Sequence, residues 1–183
     1  MQRYLPILLV GLIALLSTTS FGQTAVPIRL ASADRIEDLF APHANTTNFN
    51  VDSLERQAFV LVNKTREQNG LRDLEWSDQL EGVARLHSDN MAEYQFFSHK
   101  GLDNKYVSQR ADDAHVGQWR SIGENIAFMR GYDDPVKMAV DLWLDSPTHR
   151  KNMLDPNWKE SAIGVGVAQD GSVYFTQVFI ARK

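Results

Sequence analysis

Residues 162–180 abandon the helical spacing of the preceding chain for a strand pattern, and that switch constrains the fold more than any other feature. Ala162 to Ala168 and Val173 to Ile180 are rich in Val, Ile, Phe and Tyr, with Asp170-Gly171 between them as a hairpin signal. Gly164 and Gly166 alternate with Ile163, Val165 and Val167, so one face lacks side chains and admits another element at close range. Upstream, apolar residues recur at helical intervals. Asp52 or Ser53 is placed to cap a helix carrying Leu54, Ala58, Leu61 and Val62 on one face, and Asn69-Gly70 stops it. Ser77 caps a second helix with Leu80, Val83, Ala84, His87, Met91 and Tyr94 in a stripe. Asp134-Pro135 opens a third with Val136, Ala139, Val140 and Trp143 inward, and Ser146-Pro147 breaks it. Helices first and a hairpin last predict an α+β domain whose sheet is covered by helices.

The amino-terminal end reads as an export signal. Arg3 precedes an apolar run from Leu5 to Leu16, and small or polar residues follow through Ser20-Phe21-Gly22. The run falls short of the ~20 residues a bilayer span needs, so a signal peptide over 1–22 is expected rather than a retained anchor. Residues 23–51 mix prolines with polar residues and read as a flexible extension, leaving 52–183 as the compact domain. An exported chain with no cysteine must be held by packing alone, which points to a secreted or periplasmic bacterial protein. The formal net charge of -4 gives no basic surface for nucleic acid and no reason to expect recruitment to anionic lipid.

Three short segments carry the candidate chemistry: Phe96-Phe97-Ser98-His99, then Gly123-Glu124-Asn125-Ile126-Ala127, then Ser146-Pro147-Thr148-His149-Arg150-Lys151-Asn152. Imidazole titrates near neutrality and either ligates a metal or moves a proton. Taken alone, His99 reads first as a helix-end cap, His149 could cap the preceding carbonyls, and Glu124 could cap amides where a loop enters a helix. His87 lies on the apolar stripe of its helix and reads as a core histidine; His43 and His115 read as solvated loop residues. Trp76, Trp143 and Trp158 read as core or cleft-wall aromatics. No serine has a nucleophile-elbow context.

In this order the three segments resemble the bacterial branch of the CAP superfamily, which groups cysteine-rich secretory proteins, antigen 5 and plant pathogenesis-related proteins. Its domain is also called the SCP-like extracellular domain. The resemblance runs from Leu61-Val62-Asn63 to Tyr174-Phe175-Thr176-Gln177-Val178-Phe179 and implies a three-layer α-β-α sandwich with a central cleft. It implies that His99, Glu124 and His149 line that cleft with Asn125 and Arg150 beside them. The eukaryotic branch has a histidine before Tyr-Thr-Gln in the late strand, where Tyr174 stands here, and a second glutamate that aligns near Ser146. Tyr174 is then left to offer a phenol to the cleft.

The expected function is a non-catalytic binding module for a small apolar or cell-envelope ligand, or for a protein partner. His99, Glu124 and His149 are equally a zinc-like ligand set, with zinc or calcium as the cation, and a metal-free polar pocket. The alternative is a metal-assisted hydrolase of the peptidase kind, with Glu124 activating water. A structural or adhesion module whose polar cluster only stabilises loops is the third expectation.

Overall fold

The computed structural model describes residues 49–183. The expected signal peptide, nearly all of the expected extension, and His43 lie outside them. Helix α1 spans Val51–Gln68, β1 Glu75–Trp76, α2 Asp78–Tyr94, α3 Val107–Asp113 and β2 Trp119–Arg130. Helix α4 follows over Pro135–Asp145, α5 over Pro147–Met153, then β3 over Glu160–Val167 and β4 over Ser172–Arg182. The strands form one sheet in the order β1-β3-β4-β2. Strand β1 runs parallel to β3, and the other pairings are antiparallel.

The expected hairpin joins β3 to β4, and Gly171 turns it at φ +80°, a conformation glycine adopts without strain. On one face of the sheet α2 lies almost against the backbone of β3. A Cβ on Gly164 would stand 2.0 Å from the Arg85 nitrogen, and one on Gly166 would stand 2.3 Å from the Ser88 oxygen. The two missing side chains therefore set the depth at which α2 sits. Leu80, Val83 and Ala84 of α2 then bury with Ala111, Ala162, Val178 and Ile180. On the other face α1 and α4 bury Ala58, Val62, Ala139, Val140 and Trp143 against Ile163, Val165, Phe175 and Phe179. Helices on both faces of a central sheet make the α-β-α sandwich that the resemblance implied.

The elements differ from expectation at several points. Asn50, not Asp52 or Ser53, caps α1: its side-chain oxygen accepts from the Ser53 N–H at 3.0 Å. Asn63 heads one of two sequence matches to a glycosylation acceptor, yet its amide bonds Leu74 both ways, at 3.0 and 2.9 Å, and bridges α1 to the start of β1. Ser146-Pro147 does not return the chain to a loop. Ser146 ends α4 and starts α5, with proline in the first turn where its missing N–H costs nothing. Strand β2 is the largest departure. The segment read as the end of a loop and the start of a helix is a 12-residue strand at one margin of the sheet, paired with β4 along its length. Ile122, Ile126 and Phe128 alternate along one of its faces and Ala127 and Met129 along the other, which is strand spacing that the polar Glu124-Asn125 pair obscures.

Candidate functional site

Glu124 and Asn125 are consecutive in β2, so their side chains leave on opposite faces of the sheet. Glu124 points toward the α2–α3 layer and Asn125 toward α5. Because β2 is a marginal strand, the two helical layers meet around it, and each brings one histidine to the meeting point.

On the first side, His99 stands in the loop after α2. Its Nδ1 lies 2.8 Å from Oε1 of Glu124. The carboxylate is 3% exposed and the imidazole 46%. The other oxygen, Oε2, accepts from Nη2 of Arg110 on α3, whose side chain is 9% exposed. Nη1 of Arg110 donates to the carbonyls of His99 at 3.1 Å and Lys105 at 2.9 Å. Arg110 thus neutralises the buried carboxylate and ties down the loop that presents His99. The loop has a second anchor, since Nε2 of buried His87 lies 2.9 Å from the Ser98 carbonyl. Burial pushes the His87 imidazole below its ordinary pKa, with the Arg110 charge adding to the effect. His87 is therefore a core residue that supports the site from behind. With Nδ1–H of His99 donated to the carboxylate, a neutral imidazole there keeps Nε2 as a lone-pair acceptor.

On the second side, the His149 ring centroid is 6.3 Å from that of His99. His149 sits inside α5 rather than in a loop. Its pKa is lowered, by burial first and by neighbouring His99 second. Asn125 fixes α5 in place: its Nδ2 donates to the His149 carbonyl at 3.0 Å. Asn152 Nδ2 donates to Asn125 Oδ1 and to the Glu124 carbonyl, both at 3.1 Å, and Trp158 Nε1 donates to the Asn152 carbonyl at 2.8 Å. A Cβ on Gly123 would fall 2.9 Å from Trp158, so the glycine admits the indole that closes this chain of bonds. The three residues Gly123-Glu124-Asn125 divide the work: the glycine makes room for Trp158, the acid holds His99, and the amide holds α5.

Not every expected residue arrives. Tyr174 is buried in a different cluster, with Met91, Ile126, Ala168 and Phe96, and its ring centroid lies 4.9 Å from that of Phe128. The residue of β4 opposite Glu124 is Val178, four positions from Tyr174 or about 13 Å along a strand. Burial raises the Tyr174 pKa. The expected cleft phenol is corrected accordingly: His149, not Tyr174, stands beside His99. Arg150 is also absent from the cluster; it lines a shallow surface depression with Pro147, Lys151 and Leu154.

The three expected ligands are not gathered as a metal set. Among the described residues, the acidic or imidazole groups with ligand atoms within 4.8 Å of one another are Asp52, Glu55 and Glu81. Those three already hold the Arg85 guanidinium, at 2.7 Å from Asp52 and 2.8 Å from Glu81, with Glu55 closer still. Both oxygens of Glu124 are engaged, and buried Arg110 repels a cation beside them. The oxygen-rich shell calcium takes is therefore not provided. A zinc-like ion would find only the two imidazoles, with Glu124 behind His99 as the orienting carboxylate. Glu124 orients His99 with one oxygen and pairs with Arg110 through the other, and the hydrolase expectation gains no support. Sequence reasoning missed Arg110 and gave Asn152 no role. A buried carboxylate calls for a counter-charge, but α3 brings Arg110 in from 14 positions away, a spacing that marks nothing in a sequence.

Residues 59–179 match the family model described as CAP, Cysteine-rich secretory protein family. The chain is 38% identical over 128 residues to the Bacillus subtilis protein described as Uncharacterized membrane protein YlbC, covering 70% of this chain and 34% of that one. It is 34% identical over 145 residues to YkwD of the same organism, covering 78% of this chain and 54% of YkwD. The chain thus spans between a third and about half of these relatives. A Bacillus anthracis extracellular protein containing an SCP domain superposes with TM-score 0.62 at 33% identity, over 72% of this chain and 41% of that one. An outer surface protein of Borrelia burgdorferi shares the fold at TM-score 0.66 and 21% identity, over 74% of this chain and 97% of that one.

Proposed function

Because the chain belongs to the cysteine-rich secretory protein (CAP) family, we propose that it is an exported, non-catalytic binding module whose His99–Glu124–His149 site receives a polar group of a cell-envelope or lipid-like ligand. The observation that carries this reading is the complete engagement of Glu124 by His99 and Arg110. It fixes the orientation of one imidazole through Nδ1 and leaves Nε2 as the acceptor offered to a ligand. Burial and neighbouring His99 hold the His149 imidazole below its ordinary pKa, which favours its neutral form. A neutral imidazole presents a lone pair, so the group recognised is a hydrogen-bond donor: a hydroxyl, an amide or an amine. Zinc would compete for the same lone pairs, held by the two imidazoles. Export is supported by the amino-terminal pattern and by similarity to a Bacillus anthracis protein described as extracellular. Among the described residues no helix is long and apolar enough to cross a membrane.

Calorimetric titration with envelope glycan fragments and lipid extracts, with and without zinc, tests the proposal. The expected result is binding that His99→Ala and His149→Ala each weaken at least tenfold, at unchanged secondary structure. Binding that neither substitution affects, or no heat from any of these ligands, would refute it.

A further inference from the structure

The loop that presents His99 runs alongside β2, and its side chains meet those of the strand in two pairs. His99 reaches Glu124 at 2.8 Å, and Phe97, two residues earlier, brings its ring centroid to 6.1 Å from that of Phe128. Glu124, Ile126 and Phe128 leave β2 on the same face, so both pairs stand on one side of the sheet, about 13 Å apart along the strand. Phe96 anchors this loop. It packs half-buried against Met91, Ile126 and Tyr174, and its ring meets His87 edge-on at 6.1 Å. Phe97 is left 52% exposed and Phe128 42%, although Ile126 beside them is only 5% exposed. Tyr174 braces the Phe128 ring at 4.9 Å. Phe97 and Phe128 thus make an open shelf of two aromatic rings beside the histidines, which anchoring of the loop does not require.

We infer that the ligand is an oligosaccharide, with one sugar ring stacked on Phe97 and Phe128 and its polar rim turned to His99 and His149. The inference rests on the function proposed above and names its ligand class. A pyranose carries C–H bonds on its faces and hydroxyls around its rim. The face of an aromatic ring is the negative part of its quadrupole and attracts those C–H bonds. Nε2 of His99 is free to accept because Nδ1 is given to Glu124, and the His149 ring stands 6.3 Å away as a second acceptor for hydroxyl or amide hydrogens. An acyl chain gains most from an enclosed aliphatic channel, and the aliphatic side chain of this stretch, Ile126, is buried. Open rings next to lone pairs match a ligand that is apolar on its faces and polar at its edge.

The full chain is titrated calorimetrically with an N-acetylglucosamine tetramer and, separately, with monododecanoylglycerol, alongside Phe97→Ala, Phe97→Trp, Phe128→Ala and His99→Ala. We expect the tetramer to bind, Phe97→Ala and Phe128→Ala each to weaken it about tenfold, and Phe97→Trp to retain it. Phe97 is half exposed on a loop, so its truncation leaves the fold intact whatever Phe128→Ala does to stability. No binding of the tetramer to the wild type, or undiminished binding to Phe97→Ala, overturns the inference. Glyceride binding that His99→Ala abolishes, without tetramer binding, would overturn the saccharide and leave the proposed function standing. Tetramer binding that Phe97→Ala weakens and His99→Ala does not would support the shelf and remove His99 from recognition.

Discussion

Replacing Arg110 with methionine is the most direct test of how the cluster is held. The substitution keeps the apolar stem that packs in α3 and deletes the guanidinium. Glu124, 3% exposed, is then left with the single bond from His99, and the carbonyls of His99 and Lys105 lose their donor. Breaking one partner out of a buried ion pair costs about 3–5 kcal/mol, because the surviving charge stays in a poorly solvated place. At about 3–5 °C per kcal/mol for a domain between the small and the 150-residue classes, the melting temperature should fall by about 10–25 °C. The double variant Arg110→Met/Glu124→Leu removes both charges and should be far more stable than the summed single losses imply, with a coupling of at least ~2 kcal/mol. Melting of the four proteins by circular dichroism gives the full cycle. Additive single losses, or a fall of less than about 3 °C for Arg110→Met, would show that the pair does not organise the site.

Three further outcomes follow from named contacts. His87 and His149 are both held below the ordinary imidazole pKa of about 6.5, so the unfolded chain binds protons there that the native chain resists. Stability should therefore fall as pH drops from about 7.5 to about 5.5, and His87→Gln should flatten that dependence; equal urea midpoints for wild type at both pH values would contradict it. Gly164→Ala drives a methyl group into the backbone of α2 at 2.0 Å and should cost at least ~3 kcal/mol, read as loss of folded, soluble protein. Asn125→Leu breaks the bonds to His149 and Asn152 and should destabilise the fold by about 2–3 kcal/mol while leaving the His99–Glu124 contact intact, a separation visible in the histidine resonances by NMR.

The parts of the fold that were legible in the sequence are those whose physics is local. The hairpin announced itself through β-branched runs around Asp170-Gly171, and Gly164 and Gly166 foretold a close-packed helix. Helix α4 was marked at its start by Asp134-Pro135, and the Asp134 side chain does accept from the Lys137 N–H at 2.9 Å. Strand β2 was not legible, because its two polar residues interrupt the alternation and face helices that lie far away in sequence. The site divides along the same line. Motif order brought out His99, Glu124 and His149, and the fold sets all three around β2. Arg110 was invisible, since its value arises only when α3 packs beside Glu124. Tyr174 was placed at the cleft because it stands where the eukaryotic branch has its late-strand histidine, whereas its side chain is committed to an aromatic cluster about 13 Å along the strand.

That Glu124 and Asn125 leave opposite faces of β2 has a consequence for how the chain folds. Were β2 to pair with β4 one residue out of step, every side chain would change sides. Arg110 would face an amide, and the carboxylate would leave the guanidinium for the opposite face. A misaligned sheet would thus separate a buried ion pair, a penalty no neighbouring apolar residue could offset. Glu124 and Asn125 therefore also serve as a checksum on strand alignment, and a chain that forms the His99–Glu124–Arg110 contacts has by that fact closed its sheet correctly.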